Sequence, residues 1–257
     1  MKKYFLVIIV TGLLSSCGES SEKQETQKKE SETRNPKLQI FNMQGYWANI
    51  GFMGKAKQKG LGNFDFYCTE MTFDADSVLI DNGFESYKLK YSLSDSVCTL
   101  LNATQGKNLE LRIETADFIQ FKDSSLKNIH GNDFFNRIPA NGLKFNTMLN
   151  ENLLVGSYFV YENNKKTIHE VKLERNGEIK GLTEYKSYRI CYSGDCTSSP
   201  LKPANIITIR NKNVEEDDYV WKKDYATNNL KIFKLEAAKP DMKGGRKIEK
   251  QILDLRP

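Results

Sequence analysis

Five cysteines and two histidines are the side chains of this chain best suited to form covalent bonds, bind transition metals or move protons at neutral pH. The histidines, His130 and His169, are too few and too far apart in sequence for a histidine-based triad or a multi-histidine zinc site. Cys17 stands alone near the N-terminus, and Cys68, Cys98, Cys191 and Cys196 follow in two pairs. No C-x-x-C redox spacing and no paired zinc-type spacing occurs among them. Four cysteines in an exported chain read as candidate disulfides, with one bridge in each half of the chain as the simplest of the possible pairings. A bridge across Cys191-Tyr192-Ser193-Gly194-Asp195-Cys196 would clamp a short hairpin loop. Carboxylates are abundant, but none pairs with another in a way that marks glycoside hydrolysis. The run Glu215-Glu216-Asp217-Asp218 lacks the alternating ligand spacing of a calcium loop. No catalytic constellation emerges, so the chain is expected not to be an enzyme and to need no metal or cofactor.

Cys17 has a distinctive context. Lys2 and Lys3 open the chain, an apolar run from Tyr4 to Leu14 follows, and Leu14-Ser15-Ser16 leads into the cysteine. A basic start, a short apolar core and small residues before a cleavage point are the parts of a secretory signal. The run falls short of the roughly 20 apolar residues that span a bilayer. Leu-Ser-Ser-Cys at its end resembles the lipobox of bacterial lipoproteins. That resemblance implies a signal peptide over residues 1–16, cleavage before Cys17, and lipidation of Cys17, so that the membrane is a partner through the lipid anchor. Several acyl chains anchor stably where one binds marginally. Gly18, where inner-membrane lipoproteins carry a retaining Asp, implies the outer membrane, on its periplasmic face or the cell surface. Glu19 and Glu22 resemble the acidic surface-export signals of some Bacteroidetes lipoproteins.

The elements that must position any further chemistry begin after residue 37. Residues 18–37 are mostly Ser, Glu, Lys, Gln and Thr, without an aromatic, and such a segment buries too little apolar surface to offset its chain entropy. The sequence predicts a disordered tether over residues 17–37. Beyond it the chain appears twice. Ser86-Tyr87-Lys88-Leu89-Lys90-Tyr91-Ser92 matches Ser187-Tyr188-Arg189-Ile190-Cys191-Tyr192-Ser193, and Phe118 to Asp123 matches Tyr219 to Asp224. Glu70-Met71-Thr72-Phe73 pairs with Glu170-Val171-Lys172-Leu173, and Gly45-Tyr46-Trp47 with Gly156-Ser157-Tyr158. Ordered matches with a drifting offset indicate a duplication with loop insertions. The turn signal Asn141-Gly142 then divides a first β domain, residues 38–140, from a second, residues 141–257.

Both copies are all-β in pattern. Tyr87, Leu89 and Tyr91 alternate with polar neighbours, as do Tyr188, Ile190 and Tyr192. Further strands are expected over Phe64 to Phe73, Val97 to Leu101, Leu109 to Ile113, Ile206 to Arg210, Tyr219 to Trp221 and Leu230 to Leu235, and no segment shows a helical period. Asp81-Asn82-Gly83 and Asn176-Gly177 suit tight turns. Short strands separated by such turns build antiparallel barrels or sandwiches.

Gly45-Tyr46-Trp47 resembles the Gly-x-Trp that opens the first strand of lipocalins, where the Trp plugs one end of the barrel. The resemblance implies two small antiparallel lipocalin-like β-barrels in tandem, as in some Bacteroidetes lipoproteins, with Arg137 packed over Trp47 and Tyr158 as the plug of the second copy. It also implies that Trp47, Tyr87, Tyr91, Tyr158, Tyr188 and Tyr192 face a ligand or the core. Gly51 to Gly62, rich in glycine and lysine, then serves as a candidate lid loop, led by Phe52, Met53 and Lys55.

The net charge is +5, with the excess of Lys and Arg in the second copy, where Lys165-Lys166, Lys222-Lys223 and Lys243 to Lys250 suit anionic lipid, lipopolysaccharide or an acidic partner. Export excludes nucleic acid as a partner. Two functions fit: a membrane-anchored module that binds a small apolar ligand inside a barrel, or an envelope inhibitor, immunity or accessory protein that binds another protein with filled barrels.

Overall fold

The computed structural model describes residues 41–64, 66–122, 133–192, 200, 202–237 and 245–257. Cys17, the predicted tether, His130 and Cys196 lie outside the described residues.

Strands dominate. The first eight are β1 (Gly45–Asn49), β2 (Glu70–Phe73), β3 (Ser77–Asp81), β4 (Ser86–Ser94), β5 (Val97–Thr104), β6 (Lys107–Thr115), β7 (Phe118–Phe121) and β8 (Phe134–Ile138). Each pairs antiparallel with the next, and β8 pairs with β1 to close an eight-stranded barrel. Period-two burial carries these strands: in β4, Tyr87, Leu89 and Tyr91 are half-buried while Ser86, Lys88 and Lys90 are exposed.

The second set is β9 (Gly156–Glu162), β10 (Lys165–Leu173), β11 (Ile179–Lys180), β12 (Tyr185–Cys191), β13 (Ile206–Asn211), β14 (Glu216–Asp224), β15 (Asn229–Leu235) and β16 (Ile248–Arg256). These form a second eight-stranded sheet in the order β11-β10-β9-β16-β15-β14-β13-β12. Its end strands β11 and β12 are joined by one isolated bridge, Glu178 to Ser187.

Three of the four sequence matches occupy equivalent strands. Trp47 pairs with Met71 and Gly45 with Phe73, just as Tyr158 pairs with Val171 and Gly156 with Leu173. The Tyr87 and Tyr188 segments lie in the fourth strand of each set. The fourth match slips by one strand, because Phe118 to Phe121 is the seventh strand of its set and Tyr219 to Asp224 belongs to the sixth of the other. Strands of like composition produced that similarity.

Two helices correct the expectation of an all-strand chain. α1 (Ile50–Lys59) takes the place of the candidate lid loop, and α2 (Phe145–Leu153) precedes β9. The Asn49 side chain caps α1 by accepting a 2.8 Å hydrogen bond from Phe52 N. Phe52, Met53 and Ala56 then fall on one buried face. Gly60, at φ +81°, ends the helix. Phe64 and Phe66, expected in a long strand, instead set their rings edge-on to Phe52 at 5.1 and 4.7 Å.

The buried face of α1 belongs to the core of the second sheet. Phe52, Met53, Ala56 and Leu61 cluster with Phe145, Leu149 and Leu153 of α2 and with Tyr188, Ile190 and Tyr192. A separate core of Trp47, Met71, Phe73, Ile80, Leu100 and Phe135 fills the first barrel. Leu38–Pro257 consequently makes one compact unit. At the junction, Gly83 (φ +85°) lies so close to Tyr192 that an added Cβ would sit 2.2 Å from its ring.

Candidate functional site

The aromatics singled out in the sequence are core residues. Trp47 is wholly buried and donates its indole N–H to Met43 O at 2.9 Å, and the Arg137 guanidinium stacks 4.8 Å from its ring. Tyr158 repeats the arrangement in the second sheet: it is wholly buried, and its hydroxyl donates to Leu154 O at 2.7 Å, again four residues back. Tyr188 and Tyr192 are buried in the same core, and Tyr188 donates to Glu174 O at 2.9 Å. Tyr87 and Tyr91 are half-buried against the first-barrel core, Tyr87 edge-on to Tyr67 and Tyr91 edge-on to Phe73.

The thiols need one correction. Cys68 and Cys98 are free and buried, so the expected bridge in the first half is not formed. Cys68 precedes β2 while Cys98 lies in β5, three strands further round the barrel, a separation at odds with the short Cα–Cα distance a disulfide requires. Burial pushes the Cys98 thiol up to about 12 and Cys68 well above its ordinary range, which keeps both protonated and unreactive. Cys191 is disulfide-bonded, and its expected partner Cys196 lies outside the described residues.

The lid residues are corrected too. Phe52 is wholly buried and Met53 nearly so. Lys55 pairs at 3.3 Å with the buried Asp133, which precedes β8. These contacts fasten α1 to both sheets, because Asn152 of α2 also donates to Met53 O at 3.0 Å.

One open groove among the described residues runs between the last turn of α1, residues 202–205 and β14. It encloses about 560 Å³ and is lined by Lys57, Lys59, Lys202, Lys222 and Lys223, without a carboxylate among the described lining residues. None of these lysines forms an ion pair with a described residue. Lys57 and Lys59 offset the partial negative charge at the helix end. The Leu61 amide donates to Asn205 Oδ1 at 2.7 Å, which joins the helix end to the opposite wall.

Lys223 sits deepest. Its ammonium donates to Tyr158 Oη at 3.0 Å and lies 5.7 Å from the Tyr225 ring, which Lys57 also faces at 5.2 Å. Burial first, then repulsion from Lys57, lowers Lys223 from the usual lysine range to about 8. Beside it, the buried Trp221 Nε1 and Tyr225 Oη have no hydrogen-bond partner among the described residues. Sequence analysis noted Lys222-Lys223 only as one basic run. Lys57 and Lys59 fell within the candidate lid segment Gly51 to Gly62, whereas Lys202 and Tyr225 were missed, because residues far apart in the chain meet only through the docking of α1. The sole local signal was the absence of acidic residues from 50–64 around three lysines.

Among the described residues no group of three or more His, Cys, Asp or Glu is placed to hold a metal ion. No protein family, curated protein or solved structure matches the chain.

Proposed function

We propose that the chain is an outer-membrane lipoprotein that binds through its outer surface and has no lumenal ligand. Of the two functions the sequence allows, this is the envelope-binding one with filled barrels. The observation that carries it is the burial of Trp47, Tyr158, Tyr188 and Tyr192 in continuous side-chain cores. Aromatics that hold a ligand in a cup expose their faces to it, whereas Trp47 packs against Phe73 and Arg137, Tyr192 against Phe52 and Phe145, and all four lie in buried cores.

In this reading the second sheet is a second lipocalin-like barrel. Its strands follow the cyclic order of the first, and Tyr188 N donates to Gly177 O at 2.7 Å beside the bridge between β11 and β12. A bridge between Cys191 and Cys196 fixes the loop after β12. Cys17 carries the acyl chains, and the tether supports a reach on the order of 25 Å for a coil of about twenty residues. The lipobox supports the anchor.

Metabolic labelling with palmitate tests it. The full-length chain expressed in a Gram-negative host is expected to take up label and fractionate with the outer membrane, and Cys17→Ser to do neither. An unlabelled wild-type protein would remove the anchor from the account.

A further inference from the structure

We infer that the lysine groove beside α1 is a binding site for a phosphate-bearing group, either a free phosphate ester or the headgroup of a lipid. The inference rests on the outer-surface reading above and names the chemistry of its site.

Five ammonium groups line one concave surface, and no described carboxylate lies among them or pairs with any of them. What sets these lysines apart is their convergence on one concave surface. Lys223 is half-buried while Lys57, Lys59, Lys202 and Lys222 are exposed around it, and gathering like charges costs free energy unless a counter-charge arrives. Lys57 and Lys223 show the conflict directly, since they approach the same Tyr225 ring from two elements.

The shape also suits a ligand. About 560 Å³ falls within the range of small-molecule sites. The walls combine charge with the apolar surfaces of Pro203, Val220 and Ile248.

Phosphate fits better than a single carboxylate. Lysine acts on phosphate as a mobile point charge, and five of them suit a group carrying two or more negative charges. Both sources of phosphate remain within the chemistry: a membrane surface lies inside the proposed reach of the tether, and a soluble ester would need only to diffuse in.

Calorimetric titration of the full-length chain carrying Cys17→Ser, with pyrophosphate as the probe, tests the site. The parent is expected to bind, the further double change Lys57→Gln and Lys223→Gln to weaken binding at least tenfold, and Lys107→Gln, in the distant β5–β6 hairpin, to leave it unchanged. Co-sedimentation with vesicles of phosphatidylcholine containing phosphatidylglycerol separates the sources. Retention that depends on the same two lysines assigns a lipid headgroup, and pyrophosphate binding without retention assigns a free ester. Equal pyrophosphate binding by parent and double variant, or neither probe bound, overturns the site. A stoichiometric apolar ligand inside a barrel would overturn the outer-surface reading instead and leave the lysine result standing.

Discussion

At Trp47 and Tyr158 two different side chains solve one problem. Each starts its sheet, each is buried, and each satisfies its polar atom on the backbone carbonyl four residues earlier. Burial pushes Tyr158 up to about 12, so its hydroxyl stays protonated near neutrality and can accept from Lys223 while donating to Leu154. Lys223 then yields a prediction in pH. Its folded-state value of about 8 lies below the ordinary 10.5, so between those values the unfolded chain holds a proton that the folded chain has lost. Stability contributed by this group therefore rises as pH increases through that window. The groups facing it are Lys57 from α1, Tyr158 from β9 and Tyr225 after β14. Urea unfolding should find Lys223→Met more stable than wild type at pH 7, with the gap narrowing by pH 10. A gap independent of pH would contradict the assignment. The matching burial of Trp47 and Tyr158 was legible because Gly-x-Trp and its weaker counterpart are local patterns. The fate of Cys68 and Cys98 was not, since it depends on how many strands separate them around a closed barrel.

α1 joins the two sheets at the scale of elements. It was hidden in sequence by Gly51 and Gly54, residues of low helix propensity, and by a short amphipathic face of Phe52, Met53 and Ala56. Its helix forms because that face is buried among Phe64, Phe66, Phe145 and Tyr192, whose rings all lie within about 6 Å of Phe52. Phe52→Ala is expected to cost about 3–5 kcal/mol and to lower Tm by on the order of 10 °C. Hydrogen exchange should localise the loss to α1, α2 and β12 while the closed barrel stays protected. Uniform loss of protection would mean that the first barrel also depends on α1. Strands were easier to read than helices: β4 and β12 announce themselves by alternation, whereas β2 is shorter than its aromatic run suggests because Phe64 and Phe66 pack against Phe52.

For the molecule as a whole, two eight-stranded sets begin with the same register, and the helix inserted after the first strand of one of them explains the groove. Only the first copy carries the glycine- and lysine-rich insert that becomes α1. Only against the second sheet does that helix leave a basic cleft open. Pattern therefore exposed a chain built mostly of strands, while the groove arises from packing α1 beside β14, a contact no local pattern encodes. The central claim is that binding occurs on the outside, with both interiors filled. Native mass spectrometry of the protein purified from its own host and delipidated tests that most directly. The account predicts the bare protein mass, or that mass with a phosphate-bearing or protein adduct. A stoichiometric apolar small molecule, released by organic solvent, would contradict it.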